Sequence, residues 1–369
     1  MTAEHIARVG VWIVIASAAA MGQQRDDRAG QALKASTERV VVRTFAAPGF
    51  VPSRTVETLS RSGGLEAVTE TIEMPDPDGR LRPARETVTE TTRTGANAVQ
   101  IRREVFGFRA PGQRVLLETT RSEQETLPNG STTTVQNTWT SDVDGRLGLT
   151  YRQIQQARSI SSDVTQSDTA VFRPGIDKGL QESERIQQTE HQLGQDLRRI
   201  DSTLFVRDTN GRFQPIETRS REVRTIGPSE SLEEESIQRL DVNGKLALSE
   251  RNVTRRFEVN GEGHMLMETF SSNVLGLVRS ENRLEPSQRV RRTTTPDAAG
   301  SGQTVEEVES RVAGSPNEPM RMVQRIVGTT RTVNAEQRET ERRVYRLDVN
   351  GRLVLAIEET EQATVTKED

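Results

Sequence analysis

The chain predicts an all-β protein, a long antiparallel up-and-down meander of hairpin repeats that forms a curled or split sheet. Three observations carry this expectation. A short turn recurs five times, its copies are evenly spaced, and the segments between them alternate Thr, Val, Glu and Arg. The copies run Asp76 to Leu81, Asp142 to Leu147, Asp208 to Phe213, Asp241 to Leu246 and Asp348 to Leu353, each with Asp-Gly or Asn-Gly at its centre. Asp-Gly and Asn-Gly between strand-like runs are the strongest short hairpin signal, and they predict two positive-φ residues in a type I′ turn. Gly79 and Gly145 are 145 − 79 = 66 residues apart, Gly145 and Gly211 again 66, and Gly211 and Gly244 are 244 − 211 = 33 apart. The unit is therefore a hairpin of about 33 residues.

Taken in order, residues 1–22 read as an export signal. Arg8 closes a short polar start, an apolar run follows from Val9 to Ala20, and small residues at Ala18 to Gly22 suit cleavage. The run falls short of the ~20 apolar residues a spanning helix needs. Residues 23–38, rich in Gln, Asp, Arg and Ala, read as a disordered lead-in. The repeat array covers 39–284. Weaker turns at Pro111-Gly112, Asp177 to Gly179 and Gly276 fill its gaps, and a second set, including Ser62 to Gly64, Pro128 to Gly130 and Asn260-Gly261, lies half a period out of phase. Region 285–319 is looser and loop-containing, 320–363 holds the terminal hairpins, and 364–369 is a tail. Within the array, residues 180–204 carry Leu and Ile at helical intervals; their place in the repeat favours strand, turn, strand.

Apolar residues gather beside the five strong turns, as at Leu347, Val349, Leu353 and Leu355, whereas stretches such as Glu118 to Glu125 are Thr, Glu, Arg and Gln. One edge of the sheet should thus carry a narrow apolar band. A single wide barrel is not expected, because its lumen would lack the side chains to fill it. An outer-membrane barrel is not expected either. Neither face of 113–126 offers the apolar band of ~25 Å that lipid requires, and aromatic girdles look missing.

Composition narrows the function. The net charge is −4, with 50 basic and 54 acidic residues finely mixed, which argues against a nucleic-acid footprint. The nearest basic cluster, Arg289, Arg291 and Arg292, reads as a solvated strand face. Cysteine is absent, which removes disulfide, thiol and iron–sulfur chemistry. The hydrophobic fraction of 32% is low beside the ~45–50% (Gly counted) of ordinary domains. No catalytic, cofactor-binding or metal-ligating residue stands out, and no cofactor is expected. His191 and His264 read as surface histidines, and Gly261-Glu262-Gly263 as a hairpin turn. Calcium binding by the Asp-x-Asp/Asn-Gly turns is disfavoured, since glycine is fourth where an EF-hand needs it sixth. The Asp should instead accept hydrogen bonds from its own loop.

Arg346 to Val354, with Asp348, Gly351, Arg352 and Leu353, resembles the core of YD (Rhs-type) repeats. Asp, Gly, Arg or Lys, and Leu or Phe recur at all five turns, while none has Tyr immediately before its Asp. The resemblance implies a secreted β-repeat protein.

The expected function is that of an exported, non-enzymatic β-repeat protein with a structural or interaction role at the cell envelope, periplasmic or extracellular. Its partner would be an envelope protein or polysaccharide, not nucleic acid. The chain is expected not to be membrane-spanning, and exposed sheet edges would invite homo-oligomers. The alternative is a periplasmic binding or carrier protein using the apolar edge as a groove for lipid or hydrophobic peptide.

Overall fold

A computed structural model describes residues 37–47, 52–62, 64–110, 113–175, 177, 179–241, 243–272, 284–297, 301–311, 319–334 and 336–367. The export signal over 1–22, nearly all of the 23–38 lead-in, and the turns read at Pro111-Gly112 and Gly276 lie outside the described residues. Twenty strands form one antiparallel sheet. They are β1 (Thr37–Ala46), β2 (Ser53–Ser62), β3 (Leu65–Pro75), β4 (Leu81–Arg93), β5 (Ala98–Ala110), β6 (Gln113–Thr126), β7 (Thr132–Ser141), β8 (Leu147–Ser161), β9 (Val164–Pro174) and β10 (Leu180–Gln192). There follow β11 (Leu197–Arg207), β12 (Phe213–Gly227), β13 (Glu230–Leu240), β14 (Leu246–Val259), β15 (Glu262–Ser271), β16 (Glu285–Pro296), β17 (Gly302–Ser310), β18 (Arg321–Thr332), β19 (Gln337–Leu347) and β20 (Leu353–Lys367). Residues 180–204 are strands, not helix.

The all-β meander stands, but the curled or split sheet is corrected. β20 pairs with β1 from Thr37↔Lys367 to Ala46↔Glu358, so the sheet closes into a barrel. Among the described residues every strand thereby has two neighbours, and no sheet edge remains for pairing into homo-oligomers. The repeat explains closure. Val105 pairs with Glu118 and Glu118 with Thr140, whereas the residue 33 after Val105 is Thr138, so each hairpin is displaced by 140 − 138 = 2 residues. Carrying the regular registers round the ring from Val99 of β5 returns to β5 at position 119, a shear of 119 − 99 = 20. With equal shear and strand number, ~4.8 Å between strands and ~3.3 Å per residue, the strands tilt by about 35° and the backbone cylinder is roughly 37 Å across. The objection that such a lumen could not be filled does not apply, because both faces carry polar residues that water satisfies.

Local chemistry fixes the rims. At one rim, which we call the repeat rim, each of the five Asp residues closes its own loop. The Asp76 carboxylate accepts from the N–H groups of Asp78 (3.0 Å) and Arg80 (2.9 Å), and Asp348 repeats the pattern with Asn350 and Arg352 (both 2.8 Å). The turn type differs from expectation. Gly79 donates to the Asp76 carbonyl at 2.9 Å, and of the central residues only the glycine has positive φ, +77°. These loops are tight turns closed by a left-handed glycine, not type I′. At the opposite rim Asn260 (φ 54°) and Gly261 (φ 80°) form the one pair of adjacent positive-φ residues among those described.

A ring of β-bulges lies just inside the repeat rim. The extra residues include Ala84, Leu117, Thr150, Ser183, Ile216 and Ser249, each 33 after the last, followed by Ser287, Val323 and Ala356. A bulge adds local twist. Where the extra residue has a hydroxyl, it donates to the facing carbonyl: Ser183 to Val171 (3.2 Å), Ser249 to Ile237 (3.0 Å) and Ser287 to Thr269 (3.1 Å).

Candidate functional site

The partner registers divide each strand into two faces, and parity is kept round the whole ring. Of the buried side chains, Thr119 lies on one face and Ser249 sits at a bulge, while Val41, Thr55, Val105, Thr169, Val171, Ile237, Thr254, Val290, Val308, Val344 and Ala363 share the other face. Side chains inside a closed cylinder converge, whereas those outside splay apart. That face is therefore the lumen wall, and it forms the candidate site.

The wall has two kinds of sector. Across β12–β14 it is a lattice of charge. Glu217 accepts from Arg219 (2.6 Å) and Arg239 (2.8 Å), Arg221 meets Glu233 at 2.8 Å, and Arg239 reaches Glu250 at 3.7 Å. Asn252 donates to Glu235 (3.1 Å) and Glu250 (2.9 Å), which ties the lattice together. Similar pairs continue at Arg292–Glu306 (2.5 Å), Arg342–Glu359 (3.3 Å) and Arg43–Glu361 (2.8 Å). Across β6–β9 the wall changes character. Between Thr120 and Val171 its inward residues are mostly Thr, Ser and Gln, with Tyr151, Ala157 and Val171 among them, and hydroxyls meet across strands at Thr120–Thr138 (3.0 Å), Thr126–Thr132 (3.4 Å) and Thr140–Thr150 (3.3 Å).

The outward face is not uniformly polar. Phe106, Phe108, Trp139, Phe172, Phe205, Phe213, Phe270 and Tyr345 all project outward within a few residues of the repeat rim, interleaved with Leu116, Leu149, Leu248 and Leu355. The narrow apolar band read from sequence is thus an outer belt near the repeat rim, strongest from β5 to β15 and on β19–β20, and its aromatics form a row at that one rim. Leu246 to Leu248 along β14 span about 7 Å, which sets the belt's height with its side chains near 10 Å. Beyond it the outward charges stand in pairs, as at Arg114–Glu86 (2.5 Å), Arg251–Glu234 (2.9 Å) and Arg289–Glu268 (2.7 Å). Arg114 also lies 3.4 Å over the Phe106 ring, which ties the paired charges to the belt.

Arg289, Arg291 and Arg292 form cross-strand pairs with Glu268, Glu309 and Glu306 rather than a basic patch. His264 stacks on Phe257 with ring centroids 5.2 Å apart, and His191 lies on a different strand pair, β10 with β9 and β11. Among the described residues no group of three or more His, Asp or Glu is placed to hold a metal. At the rim, the hydrogen bond and charge of Arg82, with the amides of Arg80 and Asp78, hold the Asp76 carboxyl below the usual carboxylate range. The amides of Lys245 and Asn243 do the same for Asp241.

These features define a class: a closed, up-and-down, 20-stranded antiparallel β-barrel. No protein-family model and no curated protein sequence matches the chain. Among solved structures it is similar to the siderophore receptor PirA from Acinetobacter baumannii, with a TM-score of 0.51, 6% identity, and coverage of 92% of this chain and 81% of that one. It is also similar to Pseudomonas aeruginosa OpdO, with a TM-score of 0.47, 10% identity, and coverage of 91% and 96%.

The expectation that the chain is not membrane-spanning is corrected here. It rested on an open sheet, on the missing ~25 Å apolar band and on absent girdles; the pairing of β20 with β1 removes the first of these grounds. A closed barrel is, with the helix, one of the two architectures that cross a bilayer, because it leaves no backbone group unpaired. The apolar sheet edge expected to serve a carrier as a groove is corrected too, since the pairing of β20 with β1 removes that edge.

Proposed function

We propose that the chain is a wide, water-filled β-barrel pore of the cell envelope, seated in an outer membrane and passing polar solutes without chemistry. The observation that carries this is the closure of 20 strands round a wall of Thr, Gln, Glu and Arg. Barrels of 16–18 strands already leave an aqueous channel, and every connection among the described residues is a short turn. The aromatic and leucine belt gives the outside an interfacial anchor of the kind that holds barrels in bilayers. The export signal read over residues 1–22 fits that destination, and a membrane seat replaces a soluble periplasmic or extracellular one. The likeness to PirA supports the fold of this reading.

The test is cell fractionation of the full-length chain followed by reconstitution into planar bilayers. Recovery with outer membranes and stepwise ion conductance are expected. Recovery in the soluble fraction, or silent bilayers containing correctly folded protein, would refute the proposal.

A further inference from the structure

We infer that the uncharged sector of the lumen wall, across β6–β9, is a binding track for a neutral, hydroxyl-rich chain, namely an uncharged oligosaccharide or polysaccharide segment. The inference rests on the lumen being open to solute, as proposed above.

The sector is set apart by what it lacks. The chain is 28% charged, yet no inward residue from Thr120 through Val171 carries a charge. The charged residues on the strands between those two positions, such as Arg121, Glu123, Arg152 and Arg158, fall on the outward parity, and the inward charges Glu118 and Arg173 stand just outside that span. A few strands away the same wall is an Arg–Glu lattice. The segregation follows strand parity, which argues against composition as its cause.

What remains is a flat array of donors and acceptors. Thr120 and Thr138 share a 3.0 Å hydrogen bond, which leaves further lone pairs on both hydroxyls. Among the described residues, the half-buried amides of Gln136 and Gln155 make no hydrogen bond to other side chains or backbone. The patch measures roughly 15 by 27 Å, from four strands ~4.8 Å apart and the eight steps of ~3.4 Å between Thr132 and Thr140. That suits several linked sugar rings. Charge complementarity selects the occupant. A polyanion or polycation would find no counter-charge here, and the arginines of β12–β14 are already committed to glutamates at 2.6–3.7 Å. Closure also leaves no strand edge on which a peptide could add. A neutral polyol exchanges hydrogen bonds with Thr and Gln without stripping water from an ion.

The experiment is calorimetric titration of the full-length barrel, folded in detergent, with maltohexaose and, separately, with an oligogalacturonate of equal length. Saturable binding of the neutral sugar at least tenfold tighter than the acidic one is expected. Thr138→Arg and Gln155→Glu, each placing a charge in the track, should weaken it tenfold or more. Arg221→Gln with Glu233→Gln should leave it unchanged. Circular dichroism confirms the folding of each variant, and the two single-charge variants back each other. Absence of saturable binding, equal binding of the two sugars, or insensitivity to both track variants would overturn the inference. Binding needs no bilayer, so a barrel that binds but does not conduct refutes the pore alone. One that conducts but does not bind refutes the track alone.

Discussion

Deleting Ser249 should cost stability without changing the register of the barrel. Ser249 is the extra residue of its bulge: Ile237 faces Glu250 and Gln238 faces Leu248, with Ser249 between. Its removal lets Glu250 follow Leu248 directly, so every other side chain keeps its face. What disappears is local. Ser249 is 3% exposed, its hydroxyl donates to the Ile237 carbonyl at 3.0 Å, and its own carbonyl accepts from the Ser272 amide (2.9 Å) and hydroxyl (3.2 Å). At ~0.5–1.5 kcal/mol net per hydrogen bond, three bonds amount to about 2–4 kcal/mol. Deleting Val253 instead, in the regular part of the same strand, moves half of β14 by one residue. A one-residue slip exchanges the two faces, which breaks Arg251–Glu234 (2.9 Å) and Asn252–Glu235 (3.1 Å) and sends charges to the wrong side. Urea unfolding followed by far-ultraviolet circular dichroism, with limited proteolysis of the folded protein, separates the cases. The Ser249 deletion should show a lowered midpoint and an intact protease-resistant barrel, while the Val253 deletion should lose both. If the two deletions proved equally disruptive, the bulge would not be a register-neutral insertion and the reasoning would fail.

Three further outcomes are expected. Gly244→Ala forces a left-handed φ of +72° on a residue with no atom within 4 Å of the new methyl, so the backbone alone should cost ~1–2 kcal/mol in urea unfolding; Gly95→Ala, equally open and without positive φ, should be neutral. The carboxyl groups of Asp76 and Asp241 titrate below their unfolded value of 3.8, so their contribution is complete above that value and is lost as pH falls through the depressed folded value; hydrogen exchange at the Asp78, Arg80, Asn243 and Lys245 amides should accelerate over that acid range and not between neutrality and pH ~5. Since the chain has no cysteine, Thr138→Cys in liposomes should react with a water-soluble maleimide while Leu355→Cys, in the outer belt, is protected; equal labelling would refute the assignment of faces.

How far the sequence carries can be judged from particular residues. Gly79, Gly145, Gly211, Gly244 and Gly351 are all at positive φ, as the turn motif implies, because a hairpin loop is a local matter. Asp and Gly of the Rhs-like motif each have a role within the loop itself. The barrel was not legible by the same means. Closure depends on β1 meeting β20 across more than 300 residues, and no local pattern in Arg39 to Phe45 announces Glu361 as the partner of Arg43. The belt was hidden for a related reason. Phe106, Trp139, Phe172 and Phe205 stand 33 residues apart in sequence and look like scattered aromatics until the ring brings them to one level. The bulges hid the faces, since a strict period of two places Leu248 and Glu250 on one side of β14 when Ser249 puts them on opposite sides. The uncharged track was the most accessible of the missed features: its parity across 120–171 is written in the sequence and needed only a closed wall to give it a side.

The two-residue displacement per hairpin makes bore a matter of copy number. Because strand number and shear rise together, inserting or excising one 33-residue hairpin changes both by two and leaves the tilt as it was. Each copy widens or narrows the circumference by about a tenth. A gene that duplicates such a unit in frame therefore yields a graded series of tubes with the same wall angle, the same rim loops and the same belt, differing only in what fits through them.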